Sequence, residues 1–142
     1  MPRRLCRMFL MASLSCVACQ QPPDVSEELE LYASLQNMAF AEICECPEDV
    51  LYASIQACAD ALYLRAEDRE CLADSLEGFE EEGKRYLDCA NPVVEEYGNC
   101  LSMNPGCEAG WYDDCTVAYQ DAIEMCPELP DGARNKFITC DL

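Results

Sequence analysis

The chain has 142 residues, of which 28 are acidic, nine are basic and none is histidine, so its formal charge is −19. Binding to phosphate backbones needs clustered Lys and Arg, and this composition therefore excludes nucleic acid as an expected partner. The lack of histidine removes the commonest general base, the usual catalytic triads and every histidine-containing metal site. We expect no enzymatic activity, no cofactor and no metal site.

The first 18 residues, 1–18, predict an export signal. Arg3, Arg4 and Arg7 precede the apolar run MFLMASLSCVA at 8–18, which ends in small residues and is followed by the polar sequence QQPPD. This order is typical of a secretory signal peptide. The run has 11 residues, whereas a helix needs about 20 to span a bilayer. We therefore predict that it directs export and does not anchor the chain.

The junction Cys16-Val17-Ala18-Cys19 resembles the lipobox of bacterial lipoproteins, although Cys16 stands where that family usually has Leu. In this family the signal is cut before the cysteine, which then carries lipid. The resemblance implies that Cys19 is lipidated and holds the chain at the bacterial cell envelope, on the periplasmic face or at the outer membrane. The alternative is an ordinary signal peptide cut after Ala18, which would give a secreted protein.

Residues 19–25 are predicted to be the lipidated cysteine and a short polar tether, and residues 26–142 a single helical domain. Ser is a favoured N-cap, so the first helix is predicted to begin near Ser26 and to end at the Cys44–Pro47 segment. A second helix is predicted to begin near Pro47. The apolar positions expected to face the core are Leu31, Leu35, Met38, Ala39 and Ile43 in the first helix, and Leu51, Ile55, Cys58, Ala59 and Leu62 in the second.

Two six-residue segments in this region are nearly identical. They are LYASLQ at 31–36 and LYASIQ at 51–56, and the match neither continues nor recurs a third time. Either a duplicated helix or chance could produce such a pair, which is not a solenoid repeat.

The second half of the chain also predicts helices. Apolar residues spaced 4-3-4-3-4 from Leu72 to Ala90 predict a third helix. Asn91-Pro92 then predicts the start of a fourth, and residues 103–110 a loop. A fifth helix is predicted from about Trp111, and one or two helical turns after Gly132. No segment has the alternation of a strand, so the expected fold is an all-α, disulfide-rich bundle of four to six helices. The expected core positions in the later helices are Val94, Tyr97, Leu101, Cys115, Ala118, Ala122 and Met125.

The cysteine count supports export and lipidation. Of 13 cysteines, Cys6 and Cys16 lie in the signal, and lipidation of Cys19 would leave ten, which can close five disulfides in an oxidising compartment. The connectivity stays open, but Cys44 and Cys46 are expected to reach different partners. A metal or redox role for this closely spaced pair is the alternative. The ten candidate disulfide cysteines are Cys44, Cys46, Cys58, Cys71, Cys89, Cys100, Cys107, Cys115, Cys126 and Cys140.

The part after the signal carries all 28 acidic residues but only six basic ones, a formal charge of −22. Such a charge attracts basic partners, or simply keeps an exported protein soluble. Together these features predict a non-catalytic binding or scaffold protein of the cell envelope, attached to the membrane through Cys19. The alternatives are an inhibitor or immunity-type binder of a basic protein and a carrier of a small apolar ligand. The aromatic residues that could line a pocket in such a carrier are Tyr86, Tyr97, Trp111, Tyr112 and Tyr119.

Overall fold

A computed structural model describes residues 21–103, 106–107 and 110–140. These residues form six helices and no strand, so the predicted all-α, disulfide-rich bundle is confirmed. The predicted signal peptide and Cys19 lie outside the described residues. The helices are α1 (Ser26–Cys44), α2 (Ile55–Leu62), α3 (Ala66–Ser75), α4 (Glu80–Ser102), α5 (Trp111–Ile123) and α6 (Asp131–Cys140).

The two longest helices, α1 and α4, pack against each other and form the centre of the bundle. Their backbones approach closely where a Cβ added to Gly98 would lie 3.9 Å from Ala39. Helices α2 and α3 pack on α1, α5 packs on α4, and α6 packs on α3. Within the described part of the chain, no helix combines the length and the apolar character that crossing a bilayer requires.

Buried apolar side chains form two clusters that share the partly buried Phe40 and Tyr119 as neighbours. One cluster joins the first half of α1 to α3, α4 and α6, and the other joins its second half to α4 and α5. Complete burial of a Leu or Phe side chain contributes about 1.5–3 kcal/mol, so these clusters are the main non-covalent support of the fold. The first cluster includes Leu29, Tyr32, Leu72, Leu87, Val94 and Phe137, and the second Ala39, Ile43, Tyr97, Leu101 and Cys115.

The buried face of α1 differs from the predicted one. Leu31 and Met38 are 50% and 62% exposed, whereas Leu29, Tyr32 and Gln36 are buried. Residues 31–41 carry no charge. The apolar pattern therefore does not distinguish a core-facing side from a solvent-facing one, and packing against α4 selects the buried face.

The predicted start of the second helix near Pro47 is wrong. Residues 47–53 form turns, in which the Tyr52 amide donates to the Pro47 carbonyl at 2.8 Å and Leu51 adopts a positive φ of 66°. Helix α2 begins only at Ile55, because the Ser54 hydroxyl accepts a hydrogen bond from the Ala57 amide and caps it. Leu51 and Ile55, predicted to face the core, are exposed.

The predicted third helix is divided into α3 and α4. Gly78 adopts a φ of +82°, a left-handed conformation that glycine reaches without a Cβ penalty. Its amide donates to the Glu80 carboxylate at 3.0 Å. The glycine therefore ends the turn after α3 and allows α4 to begin at Glu80 with three acidic residues in its first turn, where they favourably meet the helix dipole.

The predicted helix start at Asn91-Pro92 is also wrong, since α4 runs through both residues. Pro92 is exposed, so the carbonyl of Asp88, which loses its usual helical donor there, can be hydrated. Asn91 is buried, and its side-chain amide donates to the Glu28 carbonyl of α1 at 3.0 Å. A residue interpreted as an N-cap is therefore an interhelical contact.

The last two predicted helices agree more closely with the structure. Helix α5 begins at Trp111 and buries Cys115, as predicted. Ala118 and Met125, however, were also expected in the core and are exposed, and Met125 lies beyond the end of the helix. Helix α6 has ten residues and buries Ala133 and Phe137, so it is longer than the one or two turns expected.

A side chain of α1 fixes the connection between α2 and α3. The Asn37 amide oxygen accepts from the Leu64 amide at 2.8 Å, and its nitrogen donates to the Leu64 carbonyl at 3.0 Å. Leu64 is buried, so both of its backbone groups would be costly to leave without a partner. This bidentate contact positions the start of α3 against α1.

Replacing Asn37 with Leu is expected to lower the free energy of unfolding by about 1–3 kcal/mol, because two buried backbone groups lose their partners. Urea unfolding of the oxidised protein measures this loss. Asn135→Leu, at an exposed position of α6, is the matched control and is expected to change stability by less than about 0.5 kcal/mol. Equal effects of the two substitutions would contradict the assigned role of Asn37.

Candidate functional site

All ten cysteines from Cys44 to Cys140 are paired in five disulfides. Their Cα–Cα distances of 5.5–5.8 Å are ordinary for such bridges. Cys44 and Cys46 have different partners, and each of the three peripheral helices α2, α5 and α6 is covalently joined to a neighbouring helix. The pairs are Cys44–Cys58, Cys46–Cys107, Cys71–Cys140, Cys89–Cys126 and Cys100–Cys115.

The bridges differ in the length of chain that they close. Cys71 and Cys140 are 69 residues apart and tie α6 to α3, whereas Cys100 and Cys115 are 15 residues apart and tie α5 to α4. In the chain-entropy account of disulfide stabilisation, the longer loop restricts the unfolded chain more strongly. The bridge between α3 and α6 is therefore expected to contribute more than the bridge between α4 and α5.

Replacing both Cys71 and Cys140 with Ala is expected to lower the free energy of unfolding by about 2–5 kcal/mol. The matched variant, with both Cys100 and Cys115 replaced by Ala, is expected to lose about 1 kcal/mol less, because its loop is shorter. Urea unfolding without reductant measures both losses. The reverse order would show that loop entropy does not dominate these bridges.

One group of side chains has the spacing of a metal site. The sulfurs of Cys46 and Cys107 and a carboxylate oxygen of Asp49 lie within 4.8 Å of one another. Both sulfurs are joined in a disulfide, and a cysteine binds metal as a free thiolate. In this oxidised form only the Asp49 carboxylate is available as a strong ligand, and one carboxylate is too few for a site.

A cleft of about 420 Å³ lies where the second half of α1, the turns after it, α4 and α5 meet. We name it the aromatic cleft. It is open to solvent and is lined mainly by aromatic and uncharged polar side chains. Its lining residues are Gln36, Phe40, Ile43, Val50, Tyr52, Leu62, Tyr97, Tyr112, Thr116, Tyr119 and Gln120.

Contacts between side chains hold the base of the aromatic cleft in one arrangement. The rings of Tyr97 and Tyr119 are stacked, with centroids 4.6 Å apart and an interplanar angle of 26°. The hydroxyl groups of Tyr97 and Thr116 are hydrogen-bonded at 3.1 Å, and the amide of buried Gln36 donates to the Tyr32 hydroxyl at 2.9 Å. Burial raises the pKa of Tyr97, so its hydroxyl stays protonated and uncharged at neutral pH.

The structure brings together three of the five aromatic residues predicted to line a pocket: Tyr97, Tyr112 and Tyr119. Trp111 contacts the edge of Tyr112, with ring centroids 6.3 Å apart. Tyr86 lies elsewhere, against Phe137 of α6. Two further aromatic residues line the cleft that the sequence analysis does not single out: Phe40, which lies in α1 as predicted, and Tyr52, which lies in the turns and not in the predicted helix. The near-repeat at 51–56 gives no signal for Tyr52, because the matching segment 31–36 lies in α1 whereas residues 51–54 form no helix.

Basic residues are unevenly placed in the molecule. Helices α1, α2 and α5 contain no Lys or Arg, although α1 and α5 each have two acidic residues in the first turn. Arg69 pairs with Glu30 at 3.0 Å, and Lys84 pairs with Glu28, so two of the basic residues lie against the start of α1. The six basic residues that follow the predicted signal are Arg65, which precedes α3, Arg69 in α3, Lys84 and Arg85 in the first two turns of α4, and Arg134 and Lys136 in α6.

The contact with Lys84 holds the pKa of Glu28 below its usual range, and the amide at the start of α1 adds to this effect. Lys84 has a raised pKa because it donates a hydrogen bond to Glu28. The contribution of Glu28 to stability is therefore present above its ordinary pKa and is lost as the pH falls through its lowered folded value. The contribution of Lys84 is lost only as the pH rises through its raised value.

The variant Lys84→Met is expected to raise the pKa of Glu28 toward its ordinary value of about 4.3. An NMR titration of the side-chain carboxyl carbon measures the shift. Arg85→Met is the control, since it removes the same charge from the next residue, which pairs with Glu82 at 3.6 Å. An unchanged Glu28 pKa in Lys84→Met would show that the ion pair does not lower it in solution.

Comparison with protein-family models, with curated proteins and with solved structures found no match to this chain in any of the three.

Proposed function

We propose that this protein is an exported, lipid-anchored component of a bacterial cell envelope that binds a partner protein and has no catalytic role. The chain would be cut before Cys19, attached to the membrane by lipid on that residue, and folded outside the cytoplasm. The domain from residue 26 onward would present its surface to other envelope molecules.

The observation that carries this proposal is the pairing of all ten cysteines after Cys19. Structural disulfides persist in oxidising compartments and are rare in the cytosol. The pairing uses every cysteine from Cys44 onward and leaves out Cys19, the residue that the lipobox resemblance marks for lipid. Residues 1–18 contain basic, then apolar, then small residues, and this order also supports export from the cytoplasm.

A binding role is supported by the surface of α1. Leu31 and Met38 are exposed on a stretch, residues 31–41, that has no charge in an otherwise strongly acidic chain. Exposed apolar surface bounded by polar residues is a feature of interaction sites. The carrier hypothesis gains less support, because the aromatic cleft is open to solvent and contains polar groups as well as rings.

The uneven placement of basic residues favours a basic protein as the partner. The helices that surround the aromatic cleft are acidic and, apart from the first two turns of α4, lack Lys and Arg. Opposite charges on two surfaces accelerate association and make it sensitive to salt. An inhibitor or immunity-type role against a basic exported protein is therefore the more specific form of this proposal.

Replacing Cys19 with Ser is expected to release the protein from membranes, because stable attachment needs acyl chains that serine cannot carry through a thioether. Membrane fractionation and intact mass measure the outcome. Wild-type protein is expected to have the mass of residues 19–142 plus acyl chains, with ten cysteines that react with an alkylating reagent only after reduction.

Cys6→Ser is the matched control, since it removes a cysteine from the same segment but leaves the junction intact, and it is expected to remain membrane-bound. Membrane association of Cys19→Ser would contradict anchoring through this residue. Thiols that react before reduction would contradict an oxidising location.

A further inference from the structure

The aromatic cleft has the chemistry of a site for an organic cation. Four tyrosines line it, and aromatic rings attract a cation through the negative electrostatic potential of their faces. Two of these rings, Tyr97 and Tyr119, are already stacked, so the base of the cleft is held in one arrangement before a ligand binds. The volume of the cleft, about 420 Å³, lies in the range of sites that bind small ligands.

The cleft has no positive charge of its own among the described residues that line it. None of the residues that line it is basic. The basic residue nearest to them in sequence is Arg65, three positions after Leu62, and its guanidinium is bound to the carbonyl of Asp60 at 2.6 Å. In α4 the last basic residue, Arg85, precedes Tyr97 by 12 residues, which is about 18 Å along a helix.

The charges near the cleft have the opposite sign. Asp49 precedes Val50 of the lining, Asp113 and Asp114 follow Tyr112, and Asp121 follows Gln120. All four are exposed, so the segments that form the cleft carry a negative electrostatic field. Such a field raises the local concentration of cations and disfavours anions.

We propose that the aromatic cleft binds an arginine or lysine side chain of a basic protein partner. The guanidinium or ammonium group would lie among the rings of Tyr52, Tyr97, Tyr112 and Tyr119. Arginine is the better fit of the two, because its planar group stacks on aromatic rings and is more weakly hydrated than an ammonium. This inference rests on the proposed role in binding a basic partner and assigns the contact that would anchor it.

The test compares two peptides that differ only in charge: acetyl-Gly-Arg-Gly-amide and the same peptide with citrulline, the neutral isostere of arginine. Each is titrated into the intact, oxidised protein while the tyrosine ring signals are followed by NMR. The arginine peptide is expected to shift the ring signals of the four cleft tyrosines and to bind about tenfold more tightly than the citrulline peptide.

Two variants locate the binding site. Tyr52→Leu and Tyr112→Leu are each expected to weaken binding of the arginine peptide by about two- to thirtyfold. Tyr63→Leu is the matched control, because Tyr63 is also partly buried but does not line the cleft, and it is expected to bind as the wild type does. Circular dichroism and the absence of reactive thiols establish that each variant is folded.

Equal binding of the two peptides would overturn the preference for a cation, and this comparison needs no variant. Equal, salt-sensitive binding of the arginine peptide by all variants would place it on the acidic surface outside the cleft. That result overturns the cleft but leaves a basic partner in place. Absence of any shift in the tyrosine signals would also overturn cation binding in the cleft. The proposed export and anchoring are tested separately, by the mass of the protein isolated from membranes.

Discussion

The packing of α1 on α4 is the contact on which the other elements depend. Both helices supply residues to both buried clusters. Helices α2 and α3 pack on α1, α5 packs on α4, and α6 packs on α3. The contact has few polar elements, among them the side-chain amide of Asn91 bound to the carbonyl of Glu28 and the ion pair of Glu28 with Lys84. Both lie near the start of α1, so they fix the axial position of the two helices at one end, while Ala39 and Gly98 allow close approach at the other.

The disulfides attach the short helices to the rest of the bundle. Helix α2 has eight residues and α6 has ten, and helices of this length are marginal alone in water. Each is covalently joined to a longer or adjacent helix, and α5 is joined to α4 by one bridge from within the helix and another just beyond its end. The aromatic cleft depends on this arrangement, because its walls come from α1, α4, α5 and the turns between α1 and α2.

Local signals in the sequence predicted most of the helices but not the way they meet. Helices α1 and α5 begin at Ser26 and Trp111 as predicted, although the N-cap position of α1 is Val25 rather than Ser26. The described residues of the predicted loop, Met103, 106–107 and Gly110, lie outside the helices. The near-identical segments 31–36 and 51–56 show the limit, because the first lies wholly within α1 and the second is divided between a turn and the start of α2. The two segments differ in a long-range contact and not in their local sequence, because the Cys46–Cys107 bridge fixes the chain just before the second segment. The tyrosines of α4 and α5 could be identified as candidates from their type, but Tyr52 reaches the cleft only through the unpredicted turns.

The order of the bridges along the chain has a consequence for a protein exposed to proteases. Cys44–Cys58 overlaps Cys46–Cys107 in sequence, and Cys46–Cys107 overlaps Cys71–Cys140. Every peptide bond between residues 44 and 140 is therefore spanned by at least one disulfide. A single cleavage in an exposed turn, such as the one at Leu51, leaves the two fragments covalently linked. The cleaved domain would migrate as one species on a non-reducing gel and would separate into two fragments only after its disulfides are reduced.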